Sequence, residues 1–206
     1  MSAGGDSARA LSRVATEERG AVTVIRLTRP AERNPLSADT LDEIERAFTL
    51  APGRAGVRAV VFTGSEDVFA SGADIRELRG LTPESASLFA RRGQGLFGRI
   101  AETPLLTVAA INGYCMGGGL DLALSCDFRL ASASAVFGHP GARLGIITGW
   151  GGTQRLPRVV GAARAFEMFL TARRVTAAEA LAMGLVGRVC DPVLECAVEE
   201  AAGLLR

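Results

Sequence analysis

Residues 112–127, NGYCMGGGLDLALSCD, set three consecutive glycines directly before a compact apolar run that carries one acid, Asp121. Gly117, Gly118 and Gly119 lack a Cβ, so they reach backbone angles closed to other residues and let a ligand approach main-chain N–H groups. Leu120, Leu122, Ala123 and Leu124 read as a short buried helix, whose first N–H groups have no intrahelical partner and whose dipole turns a positive end to the loop. A carboxylate among leucines is costly to bury unless it is paired or used, which makes Asp121 a candidate acid or base. An acid in the first helical turn also complements the dipole, and position alone leaves both roles open.

Around this stretch the chain has room for one domain. It is 206 residues long and 48% hydrophobic, enough for a sizeable core. Lys+Arg of 23 against Asp+Glu of 22 gives a formal charge of +1, with no basic block of the kind a nucleic-acid surface needs. All 23 basic residues are arginine. Without lysine there is no Schiff-base chemistry, no pyridoxal phosphate anchor and no Walker A loop, so arginine would have to hold any phosphate. Cys115, Cys126, Cys190 and Cys196 never form a CxxC pair, and the one histidine, His139, has no ligand-spaced partner, so no metal is expected. No segment reaches the roughly 18 apolar residues of a membrane span, and a cytoplasmic location is the expectation.

Taken in order, residues 1–9 read as a disordered leader, and LSRVATEER and AVTVIRLT as two strands turning at Gly20. Ser37 caps a helix with Leu41, Ile44 and Phe48 at helical spacing, ending near Pro52 and Gly53. Residues 57–64 read as a buried strand, Thr82-Pro83-Glu84 as the start of a helix ending near Thr103, and residues 104–111 as the strand feeding the glycine loop. FRLA and AVFG follow as short strands, then a glycine-rich connection from Gly138 to Gly152, and mostly helix over 153–171. A helix capped by Thr176 stops at Gly184, LVGRVC makes the last strand, and a helix is expected only to begin after Pro192.

With AAINGYCMGGGLDLALSCDFRLAS and, downstream, AVFGHPGARLGIITGWGGTQRLPRVVG, the chain closely resembles the crotonase superfamily, the enoyl-CoA hydratases and isomerases. The resemblance spans roughly residues 20–200. It implies an α/β fold, a crotonase-like ββα superhelix in a single domain lacking most of the C-terminal helical cap, with a core over 10–191 and the start of a truncated helical region over 192–206. It also implies an acyl-CoA thioester as substrate, coenzyme A entering only as part of it, and a homo-oligomer, a trimer or dimer of trimers. The implied activity is that of an enoyl-CoA hydratase or isomerase. Double-bond isomerisation, thioester hydrolysis, decarboxylation, or a non-catalytic acyl-CoA-binding paralogue are the alternatives.

The same resemblance assigns residues. The thioester oxygen would lie between the N–H groups of Ala73, in the FASGAD segment, and Gly118. Substrate contacts would come from Arg29, in RPAERNPL beside the coenzyme A site, from Ala70, Gly72, Asp74 and Ile75, and from Gly117, Gly141 and Trp150. Read without the resemblance, Gly72 makes a tight turn and Asp74 caps the next helix. Related hydratases carry two carboxylates around the double bond. The first position is Asp121, aspartate where glutamate is usual; the second is Gly141, since the FGxPE segment reads Phe137-Gly138-His139-Pro140-Gly141. Restoring an acid with Gly141→Glu would be expected to raise hydration. His139 is a weak alternative proton carrier. Arg143 and Arg155 are possible partners of Asp121, and Asp127 matches an acid of structural role.

Overall fold

The protein, a computed structural model, is described over residues 12–51 and 56–204. The expected leader and the Pro52–Gly53 helix end fall outside the described residues. β1 (Val14–Arg19) and β2 (Val22–Leu27) form the antiparallel hairpin expected at Gly20, whose φ is +64°. The short β3 (Pro35–Leu36) leads to α1 (Ala38–Leu50), where the Ser37 hydroxyl accepts the Thr40 N–H at 3.1 Å as an N-cap.

Three ββα turns follow, each sending one strand to a large sheet and the next to a small one. The first holds β4 (Ala59–Thr63) and β5 (Val68–Ala70), then β6 (Gly72–Ala73), α2 (Ile75–Leu78) and α3 (Pro83–Glu102). The second is β7 (Leu106–Ile111), β8 (Tyr114–Met116) and α4 (Gly118–Leu124). The third is β9 (Phe128–Ala131), β10 (Val136–Gly138), α5 (Gly141–Leu144) and α6 (Gly152–Val160). The chain closes with α7 (Ala162–Thr171), β11 (Val175–Thr176), α8 (Ala177–Ala182), β12 (Arg188–Val189) and α9 (Val193–Leu204).

The large sheet has six strands in the order β1-β2-β4-β7-β9-β12, parallel beyond the opening hairpin. The small sheet runs β11-β10-β8-β5. Burial on both faces explains the unbroken apolar strands. In β4 all five residues are buried, and the alternation of side chains sends Val60 and Phe62 into the core under the helices and Ala59 and Val61 to the opposite face. That opposite face, with Val22, Val24, Val108, Ala110 and Leu130, is covered by Val193, Ala197 and Ala201 of α9. The helix expected only to begin after Pro192 therefore makes 12 residues, about 18 Å at 1.5 Å per residue, and is part of the core packing. The sequence understated it because the stripe is made of small residues. The last strand is also shorter than LVGRVC suggested, with Leu185 and Val186 in the core before β12 begins.

α4, which carries the glycine loop, is fixed at its far end by Asp127. Its Oδ2 accepts the Thr107 N–H and hydroxyl, both at 2.8 Å, while the Thr107 hydroxyl oxygen accepts the Asp127 N–H at 2.9 Å. This exchange ties the exit of α4 to the start of β7 and matches the structural role implied for Asp127.

Candidate active site

At Gly117 the chain leaves β8 with φ 51° and ψ −120°, a conformation that favours glycine, and α4 begins at the next residue. The Gly117 N–H donates to the Gly138 carbonyl of β10 at 2.9 Å, which holds the loop to the small sheet. Gly72 of β6 packs against this loop so closely that a Cβ on it would lie 2.8 Å from the Gly118 nitrogen. A Cβ on Gly118 would in turn lie 3.4 Å from the Ala73 nitrogen and 2.5 Å from the Trp150 ring. The two main-chain positions named for the thioester oxygen are thus side by side, and any side chain at 118 would force the Trp150 ring to shift.

Gly72, Ala73, Gly117 and Gly118 line one wall of a cavity of about 250 Å³. The remaining lining is largely apolar, from Ile75, Leu78, Phe89, Ile146, Ile147 and Trp150, with His139, Gly141 and Thr148 beside them. Trp150 is 3% exposed, donates its indole N–H to the Phe89 carbonyl at 3.3 Å and meets the Phe97 ring edge-on at 5.7 Å. It is a wall of the cavity and a core residue at once. Of the other expected contacts, Ala70 is fully buried with its carbonyl against Gly119. Arg29 and Asp74 line a separate polar cleft, in which Arg29 pairs with Glu32 and Asp74 with Arg76 at 2.7 Å. Asp74 also accepts the Arg76 N–H, the capping role read directly from the sequence.

Asp121 does not line the cavity. It lies one layer behind, 0% exposed, enclosed by the 148–152 segment: its Oδ2 accepts the Thr148 hydroxyl, and Gly152 sits so close that any Cβ there would collide with Oδ1. Burial pushes the carboxyl up from 3.8 to about 6, against the pull of the Thr148 hydroxyl, the Trp150 and Gly152 amides and the Arg155 charge. Arg155 makes no ion pair with it; its guanidinium donates to the Trp150 carbonyl at 3.1 Å. Arg143 lies apart, in a cleft with Tyr114 and Arg174. Asp121 Oδ1 has no hydrogen-bond partner among the described residues, and the same is true of both ring nitrogens of His139. His139 Nε2 lies 3.6 Å from that oxygen. The imidazole is 3% exposed, its ring centre 4.8 Å from that of Phe169, and burial pushes its pKa down from 6.5 to about 4. Leaving such atoms unpaired costs about 1–3 kcal/mol each.

Gly141 lines the cavity as the family motif implies, but it has no room for a side chain. A Cβ there would lie 2.5 Å from the Ile146 carbonyl, in a loop closed by the Ile146 N–H donating to the Gly141 carbonyl at 3.0 Å. The gain expected from Gly141→Glu therefore requires the 141–146 loop to move. Sequence reading missed Thr148 and the space at Gly152; the Gly151-Gly152 pair was the only signal for the second, and nothing marked the first.

The titrations of the buried pair give opposite signs. Ionising Asp121 inside the fold costs on the order of 3 kcal/mol, a cost absent below pH 3.8 and complete above about pH 6. Neutral His139 contributes stability above pH 6.5 that is lost as pH falls to about 4. Asp121→Asn removes only the first effect. Its stability relative to the parent should rise by on the order of 3 kcal/mol between pH 4 and pH 7, measured by urea unfolding across that range. A difference that does not change with pH would remove the buried, proton-favouring carboxylate.

A cavity flanked by two glycine-opened main-chain segments, built on ββα turns, defines the crotonase class of acyl-CoA enzymes. The sequence matches the enoyl-CoA hydratase/isomerase family over residues 17–206, and the chain belongs to that family. It is 40% identical over 183 residues to the short-chain-enoyl-CoA hydratase of Clostridium acetobutylicum, covering 88% of this chain and 70% of that one. It is 40% identical over 184 residues to the crotonyl-CoA hydratase of Syntrophomonas wolfei, covering 89% of this chain and 71% of that protein. The crystal structure of the enoyl-CoA hydratase from Bacillus anthracis superposes with a TM-score of 0.89 at 36% identity, over 94% of this chain and 77% of that chain. Among the described residues no helix is long and apolar enough to cross a membrane, and no group of three or more His, Cys, Asp and Glu side chains is arranged to hold a metal ion.

Proposed function

We propose that this chain forms and stabilises the enolate of an acyl-CoA thioester, with the thioester oxygen between the Ala73 and Gly118 N–H groups and Asp121 supplying acid–base chemistry. The observation that carries this reading is the packing of Gly72-Ala73 against Gly117-Gly118 on the wall of an apolar cavity. Two fixed donors shielded from water stabilise charge that develops on the thioester oxygen, without reorganising during the reaction. The functional atoms belong to the main chain, which is why glycine and alanine serve. The cavity, at about 250 Å³, falls just under the roughly 300–1,000 Å³ usual for small-molecule pockets and supports a short acyl group. Coenzyme A enters as part of the substrate, and the working form is a homo-oligomer.

The reaction is addition of water to an enoyl-CoA or a shift of its double bond. One observation favours the shift: position 141 carries no acid and has no space for one, whereas a proton moved from one carbon to another needs a single base. Incubation with 2-enoyl-, 3-enoyl- and saturated acyl-CoA thioesters of graded length, with products identified by mass spectrometry, tests the proposal. The expected products are 3-hydroxyacyl-CoA or an enoyl-CoA with a shifted double bond, formed fastest from short chains. Thioesters that bind but emerge unchanged would contradict it and leave a binding protein.

A further inference from the structure

We infer that Trp150 sets the length of acyl chain this site accepts, its indole forming the closed end of the cavity and admitting short acyl groups while excluding longer ones. This rests on the acyl-CoA reading of the cavity given above.

The cavity has an open side and a closed one. Ile75, Leu144, Ile146 and Ile147 are exposed and form its rim, whereas Trp150 is buried. A Cβ on Gly118 would lie 2.5 Å from the indole, so a thioester whose oxygen meets the Gly118 N–H puts its acyl carbons beside this ring. What lies beyond is space. Thr148, Gly149 and Trp150 also border a second cleft, of about 510 Å³, together with Gln94, Gly151 and Arg155. The 148–150 segment is therefore a partition between the two, and the indole is its one large side chain.

The partition is held rigidly. A Cβ at Gly93 would come within 2.3 Å of the indole, so α3 carries glycine in its interior, where glycine weakens a helix, at the point where the ring is seated. Phe89 and Phe97 of the same helix flank the ring at centroid distances of 5.2 and 5.7 Å, and the Phe89 carbonyl accepts the indole N–H. The backbone is tied as well. Arg155 donates to the Trp150 carbonyl at 3.1 Å and the Gln94 amide to the Gly149 carbonyl at 2.7 Å. A ring fixed at so many points does not swing aside for a longer chain, and its size becomes a limit on the substrate.

Dissociation constants of saturated acyl-CoA thioesters of increasing length, measured by calorimetry, test the limit without requiring turnover. In the parent, affinity should rise about fourfold per methylene over the shortest chains and then stop rising or fall. The break should move to longer chains in Trp150→Phe and further in Trp150→Ala. Octanoyl-CoA should bind Trp150→Ala at least tenfold more tightly than the parent, with acetyl-CoA within threefold. Ile147→Ala, at the rim, should leave the break in place. Because chain lengths are compared within one protein, a general loss of structure does not imitate the result, and Trp150→Phe decides it if Trp150→Ala does not fold. A break at the same length in parent and variants, or affinity that climbs through the longest chains in the parent, would overturn the proposal. A break that moves in a protein without turnover would defeat the enolate reading alone and leave Trp150 as the limit.

Discussion

Gly118→Pro should reduce turnover by about 10²–10³, the usual cost of one lost oxyanion donor, while Gly118→Ala, which keeps the N–H, should retain most of the activity that proline loses. The pair of variants separates two effects that one alone would confound. Each puts a Cβ at a position 2.5 Å from the Trp150 ring, so each forces the indole to shift. Only proline removes the N–H. Residue 118 opens α4, where proline's fixed φ is compatible with the first turn, so the backbone itself tolerates the change. Trp150 is the only tryptophan in the chain, and its emission reports whether the cavity wall has moved equally in both proteins. Equal rates in the two variants, with equal tryptophan spectra, would show that the Gly118 N–H does not act on the substrate.

Asp121→Asn should lower kcat by at least 100-fold and leave the acyl-CoA dissociation constant nearly unchanged, in line with acid–base contributions of about 10²–10⁴. The substitution keeps the shape of the side chain and a hydrogen-bonding partner for the Thr148 hydroxyl, but it cannot hold a negative charge beside His139. Because Asp121 is walled off from the cavity, a binding defect is not expected. Stopped-flow or steady-state rates alongside equilibrium binding separate the outcomes. An unchanged kcat would return Asp121 to the role of complementing the α4 dipole, which its place in the first helical turn also permits.

Much of the frame was legible because it is written in local signals. The Gly20 turn, the Ser37 and Thr82 caps and the buried run of β4 each follow from residue types at fixed spacing. The pairing of Ala73 with Gly118 was legible only through the family motif, since 44 residues of intervening chain hide it from any local pattern. α9 was underestimated because alanines at helical spacing give a weak amphipathic signal, and their use became clear only against the small residues of the sheet's outer face. Asp121 was placed on the right helix but assigned direct contact with substrate. Its actual position depends on how the 148–152 segment wraps α4, a tertiary feature set by Gly152 and Thr148. The approach of His139 to Asp121 was hidden for the same reason: two residues along the chain from 141 says nothing of a carboxylate 18 positions upstream that the fold brings to 3.6 Å.

The central claim is that this cavity removes a proton beside the thioester carbonyl and holds the resulting enolate on main-chain N–H groups. Incubating the protein with a saturated short-chain acyl-CoA in D₂O and following the mass of the acyl group tests it most directly. The account predicts deuterium at the carbon next to the carbonyl, entering far faster than without protein and lost in Gly118→Pro. A thioester that binds yet gains deuterium no faster than the protein-free solution would contradict it.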